Sequence, residues 1–107
     1  MINNKNTDKY LPLTESTAYI LLALSDPLHG YGVMQKVNTL SENTVKIGPG
    51  TLYGAFSTLE SEKLIIKVGE EGRRKIFTLT KKGKTILKEH IRRSEILITN
   101  GAITKDW

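Results

Sequence analysis

A chain of 107 residues without cysteine allows one domain around one modest core, hiding roughly 65% of its unfolded surface, and excludes disulfides and thiolate metal sites. The formal charge of +5 is concentrated: residues 63–93 carry eleven basic against three acidic side chains, while residues 1–62 are net −2, a distribution that points to a polyanion such as nucleic acid or to an ordinary lysine-rich surface. The longest apolar run, Ala18 to Leu24, falls short of the ~20 residues that span a bilayer, and the N-terminus has no signal-peptide core, so a soluble, cytoplasmic protein without a membrane partner is expected.

Residues 1–10 are polar and aperiodic and read as a flexible arm. The stretch "LPLTESTAYILLALSDPLHG" predicts a first helix capped by Thr14 and ended by Asp26-Pro27. Its segment from Ala18 to Leu24 is apolar all round, more than a small core hides, which leaves Tyr19 and Leu22 for a second chain, with simple burial in the chain's own core as the alternative. A second helix runs from Gly30 or Tyr31 to Leu40 with Val33, Met34, Val37 and Leu40 on one stripe. A third begins near Pro49, where the fixed φ of proline suits a first turn; Leu52, Ala55, Phe56 and Leu59 form its buried face and Gly50, Tyr53, Ser57 and Ser61 the opposite one.

"LIIKV" (64–68) and "RKIFTLT" (74–80) are β-branched and aromatic, with "GEEGR" between them as a loop, and together predict a β-hairpin. Thr80 caps a last helix from Lys81, with Leu87, His90, Ile91, Ser94, Leu97 and Ile98 on one seam. Over eighteen or so residues that helix extends ~27 Å, beyond what a three-helix core covers, so its seam needs a partner. Gly101 stops it, and the tail to Trp107 has little periodicity.

Helix, helix, helix, hairpin, helix is the order of a winged helix-turn-helix: a mainly α fold with a small β-hairpin, residues 11–80 forming the reading domain and 81–107 a dimerisation helix and tail. A third helix with small residues on its outer face can approach the floor of a major groove, where Tyr53 offers a hydroxyl and a flat ring. Arg73, Arg74 and Lys75 in the hairpin add sequence-independent attraction to phosphates, while Glu70 and Glu71 would repel them and are expected to face away or pair with the arginines. No arginine lies on the outer face of the third helix, so Lys36, Lys46 or DNA shape would supplement its reading. An enzyme fails on inventory: two histidines in unrelated contexts, no cysteine, no phosphate loop followed by lysine and no clustered carboxylates, which also leaves no metal or cofactor to assign. A second reading belongs to another class, a winged-helix adaptor whose basic hairpin docks an acidic protein. An exposed apolar anchor on the third helix would favour it.

"PLHGYGVMQKV" (27–37), "GPGTLYGAFSTLESEKLI" (48–65) and "GRRKIFTLTKKG" (72–83), in this order, resemble the motifs of PadR-type bacterial transcriptional regulators, over residues 11–90 or so. The resemblance implies a repressor that dimerises through its first and last helices and binds double-stranded DNA at an inverted-repeat operator. It implies base or backbone contacts from Thr51 and Tyr53, with Gly50 and Ser57 on the same face, and a phosphate or minor-groove grip by Arg73, Arg74 and Lys75. Tyr31 reads as a backbone contact or as an ordinary hydrophobic staple; His29 matches the motif but reads as a cap, without chemistry. Tyr19, Leu22, Leu87, Ile91, Leu97 and Ile98 are the implied dimerisation residues. The chain departs from the pattern at Gly54, where the family commonly has proline, and its short last helix is similar to the small subgroup lacking a large C-terminal domain. Some small members bind planar effectors between aromatic residues at the dimer interface. Here Ser94 stands where an aromatic would stack and Trp107 lies too far along, which leaves Tyr19, Leu87 and Ile91 as the candidate lining for a small-molecule effector.

Overall fold

In the computed structural model, which describes residues 5–107, the chain opens with a single helical turn, α1 (Lys5–Asp8). The segment read as aperiodic thus begins, where described, as a helical turn with side-chain anchors. Thr7 is buried, the Asp8 carboxylate accepts from the Arg93 guanidinium at 2.6 Å, and the Tyr10 hydroxyl donates to Glu62 at 3.0 Å. Polar composition hid this segment because its anchors are ion pairs and hydrogen bonds rather than an apolar stripe. Residues 1–4 lie outside the described residues.

Helix α2 (Glu15–Ala23) starts at Thr14, whose hydroxyl accepts from the Thr17 amide at 3.1 Å. Its Ile20, Leu21 and Ala23, together with Leu24 just past its end, are fully buried, and Tyr19 and Leu22 pack half-buried against the same core. Helix α3 (Gly30–Leu40) turns Val33 and Val37 inward, and α4 (Pro49–Ser61) contributes Leu52, Phe56 and Leu59. The expected stripe of α3 is one residue too long: Leu40, at the end of the helix, is 40% exposed. Helix α4 closes with Lys63 in the left-handed region (φ 63°), the Leu64 amide reaching back to the Leu59 carbonyl and the Lys63 amide to Glu60, the double bond pattern that usually calls for glycine.

Strands β1 (Ile65–Glu71) and β2 (Arg74–Leu79) form an antiparallel hairpin. The loop expected over residues 69–73 is shorter than read. Gly69, Glu70 and Glu71 pair with Ile76, Lys75 and Arg74, leaving only Gly72 and Arg73 as the turn, with Gly72 at φ 62°. Between Lys67 and Gly69 the register slips by one residue, a bulge that leaves Val68 unpaired. A third backbone segment holds β2 from its other edge. Leu28 and Phe77 exchange amide-to-carbonyl bonds of 3.0 and 2.9 Å, and the Leu79 amide and Thr78 hydroxyl both donate to the Leu24 carbonyl. The hairpin is thus fixed to the segment joining α2 and α3, and the residues that follow Leu28 lie beside β2.

Helix α5 (Lys81–Asn100) is capped by Thr80, whose hydroxyl accepts from the Gly83 amide at 3.0 Å, and ends at Gly101. A 3-10 turn over Gly101–Asp106 follows where the tail was read as aperiodic. Ile86, absent from the expected seam, is its most buried large residue, with Leu87 beside it. Glu89 is buried as well, its carboxylate accepting from both Arg92 and Arg93. These guanidinium bonds hold its carboxyl down to about 2. No helix among the described residues is long and apolar enough to cross a membrane.

Candidate nucleic-acid interface

Aromatic rings link the outer face of α4 to the hairpin. Tyr53 meets Phe56 edge-on at 6.1 Å between centroids, and Phe56 meets Phe77 of β2 at 5.1 Å. Phe56 and Phe77 are buried, whereas Tyr53 stays 55% exposed with its hydroxyl resting over the backbone of Gly30. On the other side of this seam, the Leu28–Phe77 pairing sets the start of α3 against β2, so that His29 Nε2 lies 3.4 Å from Arg74 Nη1. His29 Nδ1 accepts from the Gly32 amide at 3.3 Å, the capping role read for it from the sequence. Tyr31 is exposed and stacks on the His29 ring at 6.5 Å and 15°, so the buried staple is not its role.

The result is a cleft of about 620 Å³ between α3, α4 and the hairpin. Of the residues singled out from the sequence, it brings together Tyr31, Tyr53, Ser57, Arg73, Arg74 and Lys75. Gly50 and Thr51 are exposed on the first turn of α4 beside it, and nothing lies within 4 Å of where a Gly50 Cβ would stand, so a flat ligand can approach that turn closely. Lys46 is exposed in the segment leading into α4. Lys36 is set apart from the cleft, its ammonium paired at 2.9 Å with Asp26. Glu70 pairs with Lys67 rather than with an arginine, and that ammonium lowers its carboxyl below the usual range. The arginines of the hairpin thereby keep their donors for another partner. His29, Met34 and Glu60 line the cleft without having been singled out as its parts. For His29 the available signal was its position directly after Leu28, which only the strand pairing makes meaningful.

The candidate dimerisation residues separate into two groups. Leu87 is buried in the chain's own core, with Tyr19 and Leu22 half-buried against it, while Ile91, Leu97 and Ile98 are 40, 73 and 71% exposed along the distal part of α5. Leu87 and Ile91 also line an open hollow of about 910 Å³ on α5, shared with Leu79 and the stems of Lys84 and Lys88. Tyr19 does not reach it.

The sequence profile of the transcriptional regulator PadR-like family matches residues 20–89, from α2 into α5. The chain belongs to this family. Consistent with the PadR-like assignment, a transcriptional regulator from Clostridium thermocellum superposes with a TM-score of 0.63 at 25% identity, covering 98% of this chain and 97% of that one. An uncharacterised 37.1 kDa protein in a transposon of Streptomyces fradiae is 41% identical over 69 residues, and the transcriptional regulator YqjI of Escherichia coli is 29% identical over 72. These matches take in 64 and 67% of this chain but only 19 and 35% of the two relatives. The matched part of the chain therefore spans well under half the length of either. Four of the helices and the hairpin form the PadR winged-helix fold, and the family's members are regulators of transcription, not enzymes.

Proposed function

We propose that this PadR-like protein is a repressor that binds an inverted-repeat DNA operator as a homodimer, each subunit laying α4 into a major groove while its hairpin holds the flanking backbone. The observation that carries this reading is the shared cleft, where the exposed hydroxyls of Tyr53 and Ser57 on α4 stand beside Arg73, Arg74 and Lys75 of the hairpin. Small and hydroxylated residues on an outer helix face suit base edges and thymine methyls, and a neighbouring trio of cations suits phosphates. An adaptor would instead be expected to display an apolar anchor on that face, and the one large hydrophobic exposed along α4 is Tyr53, which carries a polar hydroxyl. Pairing of subunits is supported by Ile91, Leu97 and Ile98, which α5 carries into solvent past the core. An effector, where one acts, would be held at the hollow beside Leu87 and Ile91.

The test is a gel-shift titration with the promoter upstream of the protein's own gene against a scrambled duplex of the same composition. The proposal expects tight, sequence-dependent retardation at moderate salt. Weak binding indifferent to sequence would overturn it, and capture of a stoichiometric acidic protein in place of DNA would favour the adaptor.

A further inference from the structure

The His29 ring is asked for one more lone pair than it has. The Gly32 amide points at Nδ1 at 3.3 Å, and Nη1 of Arg74 stands 3.4 Å from Nε2. A guanidinium and a backbone amide only donate, and a neutral imidazole carries one lone pair and one N–H. With Nδ1 accepting from Gly32 the ring proton is on Nε2, so two donors face each other across that 3.4 Å gap. The opposite tautomer would accept from Arg74 and turn an N–H against the Gly32 amide. A second proton would remove both acceptors and place a cation beside the guanidinium. In every protonation state one donor of the set is left over.

The ring is held from both sides. Leu28, the residue before His29, is bonded at both backbone groups to Phe77, and Tyr31 stacks on the ring. The two donors open on the cleft that Arg73, Lys75, Tyr31 and Tyr53 also line, where Glu60 is the sole carboxylate among the lining residues. We infer that the missing acceptor is a non-bridging oxygen of one DNA backbone phosphate, gripped jointly by His29 Nε2–H and the Arg74 guanidinium. The inference rests on the DNA-binding reading above and gives His29 a second role besides its cap: it fixes where along the duplex the hairpin takes hold. An anionic oxygen satisfies both donors at once, which water does only weakly.

The test separates the cap from the grip. His29→Asn keeps a short acceptor for the Gly32 amide, asparagine being a strong N-cap, and removes the donor that faces Arg74. By fluorescence anisotropy on the operator duplex, His29→Asn is expected to bind about tenfold more weakly, the worth of one hydrogen bond to a charged group, with an unchanged melting temperature. Its salt dependence should match that of the wild type, since no cation is lost, whereas Arg74→Gln lowers affinity and salt slope together. Because both side chains address one oxygen, the double variant should lose less than the product of the two single losses. Scanning single methylphosphonate substitutions along the operator should find one position at which the His29→Asn penalty disappears. Wild-type affinity in His29→Asn, strictly multiplicative losses in the double variant, or a loss that accompanies a fall in melting temperature and is equal on every duplex would each overturn the shared phosphate while leaving DNA binding intact. Failure of the wild-type protein to bind any duplex would instead defeat the underlying reading of function.

Discussion

Tyr53 lies across Gly30: a Cβ added at Gly30 would stand 2.6 Å from the tyrosine hydroxyl oxygen and 2.9 Å from Cζ. The glycine therefore sets where α4 holds its only large exposed ring. Since Tyr53 is half in solvent, Gly30→Ala is expected to displace the ring rather than the fold, changing stability by less than about 1 kcal/mol. The ratio of affinities for operator and scrambled duplex should fall toward that of Tyr53→Ala, which removes the ring outright. Anisotropy titrations of both variants on both duplexes check this.

In the proposed complex the hairpin arginines act on affinity rather than choice. Arg73→Ala combined with Arg74→Ala should weaken binding to every duplex alike and reduce the slope of log affinity against log salt by about 0.9 for each phosphate contact removed. Titrations at a series of salt concentrations measure the slope directly. Equal binding and slope in wild type and double variant would show that the hairpin does not touch the backbone.

Much of the architecture was legible because its signals are local. Thr14, Thr80 and Pro49 mark helix starts through chemistry confined to one turn, and the stripes of α3 and α4 report burial through their spacing. What was missed depends on contacts distant in sequence. Gly69, Glu70 and Glu71 look like a loop because their strand is exposed on both faces near the hairpin tip, and only the Gly72 turn reveals the pairing. Ile86 lies beside the expected seam of α5, on the side where α2 and β2 pack against the helix, so the outward row does not reveal it. Glu89 is buried since Arg92 and Arg93 follow it by three and four residues, a spacing visible in the letters but silent about depth. Within the site, the side chains of α4 and the hairpin were legible, while the pairing of His29 with Arg74 was not, because it hangs on the Leu28–Phe77 bridge between segments nearly fifty residues apart.

At Gly83, helix α5 lies close against the Leu64 carbonyl. A Cβ there would stand 2.1 Å from the Leu64 carbonyl oxygen, which is itself tied to the Thr80 amide at 3.0 Å and so cannot retreat. Gly83→Ala is expected to destabilise the protein by about 1–3 kcal/mol or more through overpacking, despite the better helix propensity of alanine. Urea denaturation gives the value. An unchanged midpoint would mean that α5 docks more loosely than described.

Hydrogen bonds from Arg92 and Arg93 hold the Glu89 carboxyl in the folded protein down to about 2, from an ordinary value of 4.5. A depressed folded value means that its contribution to stability is complete above the unfolded value and is lost as pH falls toward the folded one. Stability should therefore decline from about pH 5 downward, and Glu89→Gln should flatten that part of the profile while lowering stability at neutral pH. Thermal melts of both proteins between pH 2 and 7 check the sign. A wild-type protein that became more stable with acid in that window would contradict the pairing.

In the proposed complex two subunits present their α4 faces to successive turns of one duplex. Hydroxyl-radical footprinting of the complex with the operator measures this most directly. The account predicts two protected stretches on one face of the DNA, centred about 10 base pairs or ~34 Å apart and related by the symmetry of the repeat. A single protected stretch at saturation, or protection spread evenly along the duplex, would contradict it.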